Sequence, residues 1–137
     1  ILFLFISGIG EIMGGLFDVT HKHHGLAFLL GVSALPVAAL ILGYNVIKLE
    51  GWTDHASLII YSSHATWISL IIMAAAMGVM FSGLKKAGIP MSKDAPPLEK
   101  MPEGVIAVNG YANRLLVFCY IFWLIMMANT YLSSVSA

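Results

Sequence analysis

Polar residues interrupt this chain in few places, and the distances between the interruptions predict its elements. A helix needs about 20 mostly apolar residues to cross hydrocarbon. Stretches of that kind run at about 1–18, 25–48, 56–84 and 111–132. Short connections join the first to the second and the second to the third, so these neighbours should run antiparallel. One long polar segment, 85–110, rich in Lys, Pro and acids, separates the last two. The pattern predicts an all-α integral membrane protein, four transmembrane helices in an antiparallel bundle, forming a single domain over 1–137. The opening Ile-Leu-Phe-Leu-Phe carries no initiator methionine and no basic region, so it is expected to belong to a helix of a longer protein and not to a signal peptide. The first helix is expected to be truncated at its front.

Period then assigns faces. At about 100° per residue, Ser7, Gly8, Glu11, Gly15 and Asp18 share one side of the first helix, with Gly10 and Gly14 beside them. Leu2, Phe5, Ile6, Ile9, Ile12, Met13, Leu16 and Phe17 occupy the other. The bulky half suits lipid. The glycine half admits a neighbouring backbone and keeps Glu11 out of hydrocarbon, where an unpaired charge costs at least ~2.5 kcal/mol. On the second helix Ala27, Gly31, Ala34 and Ala38 form a close-packing seam, and Pro36 predicts a kink. On the third, Ser62, Ser69, Ala76 and Gly83 recur every seven residues and should face the bundle. Met73, Met77 and Met80 read as adaptable packing. The third stretch exceeds what a bilayer requires, which predicts tilt or projection.

Composition agrees and narrows the class. The chain is 59% hydrophobic and 10% charged, with a mean hydropathy of +0.89. Seven basic and seven acidic residues cancel, which gives no support to nucleic-acid binding. The single cysteine, Cys119, excludes an intrachain disulfide and any Cys-pair metal or redox motif. Charge placement orients the bundle. Lys22, Lys85, Lys86, Lys93, Lys100 and Arg114 fall on one side and Lys48 alone on the other. The positive-inside rule makes 85–110 cytoplasmic and puts Tyr44, Trp52 and Tyr61 at the outer interface.

Two groups of residues carry candidate chemistry. On the cytoplasmic side stand Asp18, His21, His23 and His24, with Asn113 and Arg114 opening the fourth helix. An arginine entering a membrane helix wants a carboxylate, so Arg114 is expected to pair with Glu11 or Asp18. Metal binding at the histidines is weaker, since no second segment brings His or Cys to that side. On the outer side lie His55, His64, Asn45, Tyr44 and Asn129. A bis-histidine haem needs matched histidines on different helices, and His55 and His64 share one. His64 is therefore expected to bond Asn129 or a nearby hydroxyl. These two also mark a possible ligand contact, in a haem or quinone pocket shared with a partner chain. No cofactor is identified.

Gly14-Gly15-Leu16-Phe17-Asp18, followed by His21 or His24 and a small-rich helix, resembles the bacterial and archaeal membrane family catalogued as domain of unknown function 998. Gly110-Tyr111-Ala112-Asn113-Arg114-Leu115 with Trp123 looks like that family's last helix. The chain lacks the family's proline between Phe17 and Asp18, and Asn113 stands where Gln or Glu is commoner. The resemblance would cover the last four of about six helices. It implies a polytopic protein of the bacterial or archaeal cytoplasmic (inner) membrane, points to Asp18, His24 and Arg114, and supplies no activity.

Three functions follow as expectations. The first is a non-enzymatic integral membrane subunit or accessory protein, packed against the bilayer and other membrane subunits. The second is a small proton- or ion-linked carrier using Glu11. The third is a metal-dependent membrane hydrolase using Asp18 and the His21–His24 cluster. With no recognisable nucleophile–base pair and several close-packing seams, the first is favoured.

Overall fold

A computed structural model describes residues 1–17, 21–89 and 100–136. It is all-helical among those residues: α1 (Leu2–Leu16), α2 (His24–Val46), a 3₁₀ turn (Thr53–His55), α3 (Ala56–Lys86) and α4 (Asn109–Ser136). Three helices are long and apolar enough to cross a membrane: α2, α3 with the turn before it, and α4. At 15 residues α1 is about 22 Å long, short of the ~30 Å hydrocarbon core.

The helices pack in chain order, α1 on α2, α2 on α3 and α3 on α4, with no extended contact between α1 and α4. Small residues set how close each pair comes. The α2 seam of Ala27, Gly31, Ala34 and Ala38 is buried throughout. Gly10 of α1 lies so near it that a Cβ there would fall 2.0 Å from the Gly31 amide nitrogen. The Ser7 hydroxyl donates to the Gly31 carbonyl at 2.9 Å, reinforcing the crossing. Of the Gly-x-x-x-Gly pair, only Gly10 makes the close approach, and Gly14 has nothing within 4 Å of its Cβ position.

The α2–α3 contact works in the same way. A Cβ on Gly43 would stand 2.6 Å from Ser63 Oγ. Ser62, Ser63, Thr66 and Ser69 are buried on one side of α3, and each hydroxyl donates to a carbonyl of its own helix. These side chains are small enough to pack tightly, and among the described residues no buried side-chain polar atom is left without a partner. Against this surface α4 lays Trp123, only 1% exposed, whose indole N–H donates to Ser63 Oγ at 2.9 Å. Leu35, Ala39, Met73, Ala76, Ala112, Leu116 and Tyr120 complete the core around it. Met73 is buried and Met77 packs against the same cluster, so these methionines fill space.

Glycine ends α3. Gly88 has φ +72°, and the amides of Ile89 and Gly88 donate to the carbonyls of Leu84 and Lys85. That is a Schellman closure, with Lys85 and Lys86 in the last turn where the helix dipole favours positive charge. Gly83, half-buried, receives Val105 from the approach to α4.

Candidate functional site

Between α1, which packs on α2, and α4, which packs on α3, lies a cleft of about 810 Å³. Its floor is α2. Ser7, Gly8, Gly10, Glu11, Gly14 and Gly15 form one wall, and Asn113, Leu116, Val117, Tyr120, Ile121 and Leu124 the other. The lining is mostly apolar, with five polar side chains: Ser7, Glu11, His24, Asn113 and Tyr120.

Three of the five are committed to the fold. Ser7 is bonded to Gly31. Tyr120 donates its hydroxyl to the Val32 carbonyl. His24 donates Nδ1–H to the Phe17 carbonyl at 2.8 Å, tying the end of α1 to the start of α2. Glu11 behaves differently. Its Oε1 lies 3.0 Å from where a Gly31 Cβ would be, so the carboxylate folds back over the α1–α2 crossing. No hydrogen bond holds it among the described residues, and the side chain is exposed. Glu11 is thus at the cleft wall, and the close-packed seam is formed by Ser7 and Gly10 instead.

The expected ion pair between Arg114 and Glu11 is not formed. The Arg114 guanidinium lies 5.7 Å from the centre of the Tyr111 ring, exposed. The helical period explains this. Asn113 and Val117 turn into the cleft, and Arg114 sits about 100° farther round, away from α1. Asp18, the other expected partner, lies outside the described residues.

His21 stacks on Phe17 at 4.3 Å with 7° between the ring planes, and His23 tilts against both rings. The backbone amide of His23 donates to His21 Nδ1 at 3.2 Å. So His21, His23 and His24 close the α1–α2 connection around Phe17. Among the described residues no three His, Cys, Asp or Glu side chains group as a metal requires.

At the opposite end, His64 Nε2 and the Tyr44 hydroxyl share a hydrogen bond of 2.9 Å. The partner is the neighbouring hydroxyl and not Asn129, whose carbonyl takes the Ser133 hydroxyl while its side chain stays exposed. Sequence reasoning missed Tyr120 and the cleft itself. A signal for Tyr120 existed: Pro36 leaves a carbonyl one turn earlier in need of a donor.

No protein-family model matches this chain, and no curated protein or solved structure matches it.

Proposed function

We propose that this chain is a non-enzymatic integral membrane protein, a subunit or accessory factor of a larger assembly, that works by binding within the bilayer. In this reading the helices cross as an antiparallel bundle, with the basic segment 85–110 cytoplasmic. The family resemblance carried by Gly14 to Asp18 and Gly110 to Leu115 fits such a polytopic protein and remains part of the proposal. The observation that supports it is the state of the cleft's polar groups. Ser7, His24 and Tyr120 are bound to backbone carbonyls, which leaves Glu11 and Asn113 facing the space. A carboxylate and an amide offer recognition, with no nucleophile–base pair for turnover.

The test is the size of the particle released from native membranes by mild detergent. A particle larger than the purified chain in the same detergent supports the reading. A stable monomer that transports or hydrolyses a substrate, and loses that activity on Glu11→Gln while staying folded, overturns it. The carrier reading is favoured by one observation, the absence of any hydrogen bond to the Glu11 carboxylate among the described residues.

A further inference from the structure

Charged residues are scarce in three of the helices. Glu11 is the only Asp, Glu, Lys or Arg in α1, Arg114 is the only one in α4, and α2 has none. The two are opposite in sign and both exposed, and neither has an ion pair among the described residues. Their depths agree. Gly10 crosses α2 at Gly31, and Tyr120 bonds to Val32, one residue farther along α2. Glu11 adjoins the first crossing, and Arg114 comes six residues, about 9 Å of helix, before Tyr120. The two therefore stand within about 9 Å of the same level, a gap that extended arginine and glutamate side chains together span.

Each sits on a face that its own chain leaves open. Arg114 heads a stripe on α4 with Phe118, Ile121, Phe122 and Ile125, all exposed and opposite the side of Leu116 and Trp123. Phe118 and Phe122 stack at 6.2 Å, giving the stripe a bulky centre. Glu11 lies between Gly8 and Gly15 on one stripe of α1, where a Cβ on either glycine would meet nothing within 4 Å. One face is a ridge with a cation, the other a glycine groove with an acid. A single chain does not bring them together, because α1 rests on α2, α4 rests on α3, and helical phase turns Arg114 from the cleft.

We propose that the protein forms a two-fold dimer in the bilayer, in which the α4 ridge of each copy lies against the glycine face of α1 in the other and Arg114 pairs with Glu11 across the interface. An axis along the bilayer normal keeps every residue at its own depth, so it pairs only groups whose depths agree. Symmetry makes the contact twice, which leaves neither charge unpaired where an unpaired charge is costly. Lipid or an unrelated helix would have to supply a cation to one face and an acid to the other at the same level. The inference rests on the membrane-spanning reading above, and it names a second copy as the first partner in the assembly.

The test uses the full chain, labelled with donor or acceptor dye at Thr53→Cys in a Cys119→Ser background and reconstituted into phosphatidylcholine vesicles, where energy transfer reports association. Glu11→Arg and Arg114→Glu should each weaken the dimer about tenfold or more, the loss expected for a charge-assisted hydrogen bond. The doubly reversed chain should regain it. A second arm removes charge without reversing it, which keeps the test open should a reversed chain fail to fold. Glu11→Gln and Arg114→Gln should each associate poorly alone and better when mixed, because one intact pair re-forms between the two chains. Phe118→Ala should weaken association without lowering the melting temperature. Energy transfer no greater than that of random mixing overturns the proposal. So does a dimer indifferent to both glutamine variants, or a mixture that associates no better than its components. Extraction of native membranes at alkaline pH separates this failure from that of the membrane reading. A chain released into the supernatant defeats the membrane reading, whereas one retained in the pellet yet monomeric in vesicles defeats only this inference.

Discussion

The Tyr120 hydroxyl of α4 donates to the Val32 carbonyl of α2. That carbonyl lies four residues before Pro36, inside the helix, and proline has no N–H to return to it. Tyr120 thus supplies from another helix the donor that α2 lacks. Tyr120→Phe should destabilise the protein by about 1–3 kcal/mol, because a buried acceptor is left unpaired. Pro36→Ala restores a backbone donor and should recover most of that loss in the double variant. Thermal unfolding of the four proteins in detergent measures the coupling. Additive losses would show that Tyr120 acts through ring packing alone.

Two glycines two residues apart on α1 should respond in opposite directions. Gly10→Ala puts a methyl against the Gly31 backbone and should separate α1 from α2, with a loss above about 2 kcal/mol. Gly8→Ala meets open space and should stabilise by about 0.5–1 kcal/mol. Melting temperatures of the two variants test this, and a stabilising Gly10→Ala would show that α1 does not lie on α2 as described.

Ser63 serves two neighbours at once. Its hydroxyl accepts from Trp123 and stands 2.6 Å from the place a Gly43 Cβ would occupy. Ser63→Ala should cost about 1–3 kcal/mol by stranding the indole N–H. Gly43→Ala should be far better tolerated in that background than alone, since the colliding oxygen is gone. A double-variant cycle measures the difference, and a coupling near zero would separate the two contacts.

Topology can be read with single cysteines at exposed positions in a Cys119→Ser background. From the basic asymmetry, an impermeant maleimide applied to intact cells should label Thr53→Cys and spare Ala87→Cys. The reverse pattern would invert the bundle.

The element bounds were legible because each depends on a local run of apolar residues. The α2 seam was legible for a related reason. Ala27, Gly31, Ala34 and Ala38 are buried because helical period alone puts small residues on one stripe, and a close neighbour is what that stripe admits. The α1 face was only half legible. Its bulky side is exposed as expected, with Leu2, Phe5, Ile12 and Leu16 each more than 60% accessible. The glycine side divides between a true crossing at Gly10 and open space at Gly8, Gly14 and Gly15. Period places residues on a side and does not say how far round the next helix reaches.

The sequence by itself determined the solvent this chain suits, its four helices and the stripes along which they meet, because these follow from residue hydrophobicity and a 3.6-residue period. Tertiary structure alone decided which polar groups find each other. Arg114 and Glu11 suit one another chemically, yet helical phase turns Arg114 toward Tyr111. His64 had several candidate partners, and the α2–α3 crossing put Tyr44 within reach. Whether α1 and α4 close on each other or stand apart depends on the angles at which α1 rests on α2 and α4 on α3. The cleft beside Glu11 exists because they stand apart, and no local pattern encodes that spacing.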